Sequence, residues 1–188
     1  MRSSAVLLLC AAVANAQVKM CPLPPANASV PAAVPAPKVS NDPCGAMYIA
    51  ELKTGSATGS VELSPEETGI EIKVKLTLPA VGMPFMWHIH AKPVPADGNC
   101  TGTAAHFDPY AISAGCMCDK SKRQFCQLGD ESGKWGNITA GGAFAATYKD
   151  EFLSLKTGDK AFVGDKSIVI HSFDNKRIAC ANITEMKM

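Results

Sequence analysis

Histidine is the residue type of this 188-residue chain best placed to do chemistry, and there are only four of them. Two sit in Phe85-Met86-Trp87-His88-Ile89-His90. Bulky residues alternating with period two read as a β-strand, with Met86, His88 and His90 on one face and Trp87 and Ile89 on the other. The Cα atoms of two imidazoles at that spacing lie about 6.6–7 Å apart, near enough for both rings to converge on one ion. A lone His-x-His is more often a solvated strand face. Here the remaining two add weight: His106 in Ala105-His106-Phe107-Asp108-Pro109, and His171 closing the apolar run Ile168-Val169-Ile170. Four neutral imidazoles suit Cu(II), which tops the affinity order for nitrogen sites.

The elements that must position these rings are strands. Short β patterns fall at residues 47–52, 60–63, 70–78, 85–90, 142–149, 152–155, 161–163 and 167–171, with turn residues between them. The clearest is Ile70, Ile72, Val74, Leu76 and Leu78 inward against Glu71, Lys73, Lys75 and Thr77 outward, a half-buried antiparallel strand. No helical period of useful length appears, so the chain is expected to be all-β, a sandwich or Greek-key barrel. Residues 93–136 form a long irregular stretch of the kind that is usually functional. It holds Cys100, Cys116, Cys118 and Cys126, which points to covalent stapling.

Residues 1–16 have the parts of a secretory signal peptide: Arg2, an apolar stretch, and Ala14-Asn15-Ala16. Residues 17–43 are rich in Pro, Ala and Val and read as an extended, solvated linker. The folded domain is expected over residues 44–184, with a short tail at 185–188. The net charge is +1, which argues against nucleic acid or an anionic membrane as partner. Of eight cysteines, Cys10 leaves with the leader, and the rest reach an oxidising compartment where disulfides persist. Cys21 and Cys44 bracket the linker and could pair; Cys126 is expected to bond Cys116 or Cys118. Glycosylation motifs occur at Asn27, Asn99, Asn137 and Asn182. The expectation is a secreted, extracellular glycoprotein without a membrane anchor, and a monomer.

From about Cys44 to Thr184 the chain resembles the Cu/Zn superoxide dismutase family, most closely its copper-only branch in fungi and oomycetes. The matching pieces run in the family's order: His88-Ile89-His90, Gly98-Asn99-Cys100, His106-Phe107-Asp108-Pro109, Gly129-Asp130, Val169-Ile170-His171 and Arg177-Ile178-Ala179-Cys180. The resemblance implies an eight-stranded Greek-key barrel with His88, His90, His106 and His171 as ligands of one copper ion. It also implies a Cys100–Cys180 disulfide, and Arg177 beside the copper as a fixed charge that draws in superoxide. His106 would carry a proton during turnover.

Three departures from the two-metal pattern matter. A zinc site would need two further histidines, but Gln127 stands in the place of one and nothing near Ala114 and Gly115 replaces the other. Asp130 alone does not make a zinc site, which wants four N, O or S ligands; no zinc is expected. Only residues 172–176 separate His171 from Arg177, where the family carries a longer charged loop, so the site should be open. Finally, the copper-only enzymes have a glutamate after the cysteine to orient the third histidine. Here it is Gln127, with Asp130 and Glu131 as other candidates to hold the His106 ring. The expected activity is superoxide dismutation by copper cycling. An extracellular copper buffer of the same fold is the alternative, and a hydrolytic zinc enzyme using three histidines is a weaker third.

Overall fold

The computed structural model describes residues 34–42, 44–112 and 118–187. The leader with Cys10, residues 17–33 with Cys21 and Asn27, Ala114, Gly115 and Cys116 lie outside the described residues. Seven strands form one antiparallel sheet: β1 (Tyr48–Leu52), β2 (Thr58–Pro65), β3 (Ile70–Leu78), β4 (Met86–His90), β5 (Gly142–Asp150), β6 (Ser167–His171) and β7 (Arg177–Glu185). Their order across the sheet is β4-β6-β7-β1-β2-β3-β5. The meander β1-β2-β3 is local. The chain then crosses to the far edge for β4 and returns to the other edge for β5, the long connections of a Greek key.

The inward residues of β3 are all buried, as are Trp87, Ile89, Ile168 and Ile170 from the histidine-bearing strands. The sheet curls so that its two edges meet: the rings of Trp87 on β4 and Tyr148 on β5 stack with centroids 6.1 Å apart. Tyr148 in turn stacks on Trp135 at 5.1 Å.

Two differences from the sequence reading have local causes. Residues 152–155 and 161–163 make no strand of their own among the described residues. They meet in one parallel bridge, Ser154 to Phe162, because the chain turns at Asp150, whose carboxylate accepts from Phe152 N–H at 2.8 Å. The second difference concerns residues 34–42, which pack as part of the domain and are not a solvated spacer. Ala36 and Val39 join the core. Ala36 N–H donates to Gln124 O at 2.8 Å and Val39 N–H to Glu151 O at 2.9 Å. Buried Asn41 donates to Gly69 O and accepts from Leu155 N–H, completing backbone groups that would otherwise be orphaned.

The long connection after β4 is irregular but tightly bonded, because it lies along the free edge of β4. Ile89 N–H donates to Gly129 O at 2.9 Å, Phe107 N–H to Ile89 O at 2.8 Å, and Ala91 N–H to Ala105 O at 2.9 Å. The close approach requires glycine at 129, where a Cβ would collide with the Ile89 carbonyl and Phe107 N–H. Two disulfides, Cys100–Cys180 and Cys118–Cys126, fasten the connection. Cys126 therefore pairs with Cys118, and Cys44 is an exposed, free thiol among the described residues, Cys21 lying outside them.

One short helix, α1 (Glu131–Trp135), interrupts this connection and carries a buried charge cluster. Lys134 Nζ donates to Leu128 O and Glu131 Oε1, each at 2.8 Å, and pairs with Asp150. Trp135 Nε1 donates to the other Glu131 oxygen at 2.9 Å. Burial, only partly offset by Lys134, pushes the Glu131 carboxyl up to about 7. The raised pKa means that Glu131 contributes most to stability below its unfolded value and loses that contribution as pH rises through about 7. Replacing Lys134 by Met should cost about 3–5 kcal/mol at neutral pH, since two carboxylates lose their buried partner. In urea titrations the deficit against the parent chain should widen as pH rises above about 7, where the parent's Glu131 ionises against Lys134 and the variant's carboxyl has no cation to face.

Candidate metal centre

His88 and His90 arrive together on β4, and His171 comes from the neighbouring β6, where it pairs with Met86. His106 belongs to the long connection, held against β4 by a bridge to His90. One ring nitrogen from each of the four lies within 4.8 Å of the other three. Three are buried, His90 at 1% exposed and His88 and His171 at 6%, while His106 is partly buried. The strand alternation that the sequence shows is intact, but both faces are covered, one by the barrel core and one by the histidine cluster itself.

The outer hydrogen bonds decide what the inner nitrogens present. His90 Nδ1 bonds to Ala104 O at 2.9 Å, His171 Nδ1 to Asn175 O at 3.2 Å, and His106 Nδ1 to Gln127 Oε1 at 2.9 Å. Each of these acceptors has only lone pairs to offer, so each ring must carry its proton at Nδ1 and turn a bare Nε2 inward. His88 is reversed: its Nε2 lies 3.5 Å from Asp130 Oδ1, and its Nδ1 is buried without a partner. Nε2 of His90 and Nε2 of His171 are 3.2 Å apart. With both protons held on the far side, that approach sets two lone pairs against each other.

Four inward lone pairs, one of them an orphaned buried nitrogen, fit a cation bound at their centre. The outer acceptors are the partners that fix ring orientation in metal sites. Burial, and then neighbouring positive groups, hold His90 down to about 3 and His171 down to about 4, and His106 is lowered by burial and by His88. The neutral, ligating form of His90 and His171 therefore persists well into acid. Asp130 is pulled upward by burial, but the His88 hydrogen bond and Gly133 N–H outweigh that and leave its carboxyl below the ordinary value. The same carboxylate caps α1 by accepting from Gly133 N–H at 2.8 Å. A side chain at 133 would strike Asp130 and Cys118, so glycine is needed there as well. Of the candidates to orient His106, Gln127 makes the contact.

Arg177 lines the same cleft, a cavity of about 950 Å³ that opens over His88, His106 and His171. Its guanidinium is clamped: Nη1 donates to Cys100 O at 2.7 Å and Thr103 Oγ1 at 2.9 Å, and Nη2 to Ala104 O at 2.6 Å. Those carbonyls belong to the 3-10 turn Cys100–Thr103 and the residue after it, which the Cys100–Cys180 disulfide ties to β7. Sequence reasoning missed Ala104 and Asn175, since a backbone carbonyl leaves no residue-type signal. It also missed Thr103, whose hydroxyl lies 3.2 Å from His90 Nδ1. Replacing Gln127 by Leu should free the His106 ring and weaken metal affinity by about 10–100-fold, read by competition with a chelator of known affinity.

Known proteins point the same way. Residues 57–183 match the family described as copper/zinc superoxide dismutase. The chain is 38% identical over 154 residues to "Cell surface superoxide dismutase [Cu-Zn] 4" of Candida albicans, covering 79% of this chain and 64% of that protein. It is 37% identical over 128 residues to "Cell surface Cu-only superoxide dismutase 5" of the same organism, covering 67% and 54% respectively. The chain thus spans only about half to two thirds of the length of these curated relatives. Among solved structures, that of Candida albicans superoxide dismutase 5 with Cu(II) superposes with a TM-score of 0.68 at 33% identity, over 76% of this chain and 93% of that one. With a matching family over most of its length, a Greek-key sheet and four convergent imidazoles, the chain belongs to the copper/zinc superoxide dismutase family.

Proposed function

We propose that the protein is an extracellular, copper-only superoxide dismutase. The observation that carries this reading is the inward set of four bare imidazole nitrogens, each fixed by an acceptor on its outer side. His88, His90, His106 and His171 would hold the ion. Bound copper supplies one-electron exchange, by which one superoxide is oxidised to oxygen and a second, with two protons, is reduced to hydrogen peroxide.

The chain's own residues do the rest. Arg177 presents a fixed positive charge on the cleft wall, and its clamping means that no side-chain freedom is lost when the anion arrives. The near-neutral chain offers little wider field, so this one charge carries most of the local attraction. Gln127 holds His106 Nδ1–H by its carbonyl. An amide takes up no proton near neutral pH, so a proton arriving at His106 Nε2 stays on that ring until the reduced substrate collects it. The residues available to frame a second metal are otherwise engaged. Gln127 holds His106, and Asp130 caps α1 and faces His88, which supports a centre without zinc. The name of the Cu-only Candida albicans relative supports the copper-only assignment, and the cell-surface names of both relatives support the location outside the cell.

The protein loaded with one equivalent of copper should give a copper resonance typical of nitrogen ligation and remove superoxide near the diffusion limit. Tight copper binding with slow or no dismutation would indicate a copper carrier instead. Arg177→Met should lower the stopped-flow rate and flatten its dependence on ionic strength while copper stays bound. Arg177→Lys should keep that dependence but not the clamp, since an ammonium cannot span the same acceptors. An unchanged rate in Arg177→Met would remove the guiding role.

A further inference from the structure

The turn between His171 and Arg177 is only residues 172–176, and among the described residues no polypeptide roofs the cleft above the histidines. One wall of that cleft carries a residue that the dismutase chemistry does not use, Asn137, in the glycosylation motif Asn137-Ile138-Thr139. Its placement follows from register. Phe85 and Ile138 exchange backbone hydrogen bonds of 2.8 and 2.9 Å across an antiparallel bridge. The next pair outward is Met86 opposite Asn137, on the face that β4 devotes to His88. On its other side Met86 pairs with His171. Asn137, Met86 and His171 therefore form one lateral row, each step about 4.5–5.5 Å.

The three described motifs are not equivalent. The Asn99 side chain accepts from Thr101 N–H at 2.9 Å and caps the 3-10 turn, with the disulfide-bonded Cys100 between them. The Asn182 side chain accepts from Val94 N–H at 2.6 Å, holding the start of the long connection to β7. Asn137 is exposed, and its side chain makes no hydrogen bond among the described residues. N-glycosylation takes Nδ2 and leaves the Oδ1 contacts of Asn99 and Asn182 in place, so what sets Asn137 apart is its position: of the three it is the one lining the histidine cleft.

We propose that Asn137 carries an N-linked glycan whose first sugars overhang the four-histidine cleft, covering from one wall what the short 172–176 turn leaves bare. This rests on the extracellular route proposed above. A glycan is bulky and hydrated. It lets a diatomic anion pass and hinders a macromolecule that would take the copper.

The test uses the full chain expressed in a secreting eukaryotic host and recovered from the medium. Enzymatic release of N-glycans in heavy-oxygen water, followed by peptide mass spectrometry, should place the isotope label at Asn137. Copper capture by a protein-sized thiolate scavenger should be severalfold faster after glycan release, and equally fast in Thr139→Ala, which keeps Asn137 but breaks the motif. Capture by a small chelator should not change. Secreted chain with Asn137 unlabelled overturns the proposal and leaves the extracellular reading standing. A labelled Asn137 with unaltered capture by the large scavenger overturns the overhang. Chain retained in the cytosol, absent from the medium, overturns the extracellular route and the glycan with it.

Discussion

The structure depends on where four protons are kept. Three imidazoles give theirs to Ala104 O, Asn175 O and Gln127 Oε1, and the fourth turns its own toward Asp130. That choice forces four lone pairs inward at mutual distances within 4.8 Å, an arrangement that repels itself unless a cation sits among them. Burial disfavours the charged form of His90, His106 and His171, because an imidazolium is poorly solvated there. The metal requirement is thus written in the outer hydrogen bonds as much as in the histidines.

Each of those outer acceptors belongs to a different piece of irregular chain. Ala104 follows the 3-10 turn, Gln127 follows the Cys118–Cys126 disulfide, Asp130 caps α1, and Asn175 sits in the short turn after β6. The strands supply a rigid floor, but the loops aim the rings. This explains why a connection with so little regular structure is bonded so thoroughly along β4, and why Lys134 is buried with its carboxylates beneath it. The cluster anchors α1 to β5 and thereby steadies the carboxylate facing His88.

Much of this is legible in the chain and some is not. The alternation at Ile70–Leu78 and the His-x-His strand fix their own faces, because a half-buried strand must alternate and nothing else in the sequence competes with that pattern. The gathering of His88, His90, His106 and His171 follows from their scarcity and order. Strand β7 carries weaker alternation, and the sequence reading reached it only through the family pattern at Arg177–Cys180. Residues 34–42 defeat composition: Pro and Ala suggest a solvated spacer, but Ala36, Val39 and Asn41 fill gaps that only the folded sheet creates. The described residues hold seven strands of the expected fold, not eight, as residues 152–155 and 161–163 spend their bonding on turns. Acceptors such as Ala104 O and Asn175 O are invisible in principle, since every residue has a carbonyl and only the backbone path aims it.

The cross-link between Cys100 and Cys180 has a bearing on when the protein matures. It joins positions 80 residues apart, and the turn it secures is the perch for Arg177 and the approach to Ala104 O, on which His90 rests. A freshly made chain in a reducing compartment lacks that tether. The order of assembly is then thiol oxidation first and a fully aligned four-histidine centre afterwards, so the metal centre is finished only where cysteines are no longer kept reduced.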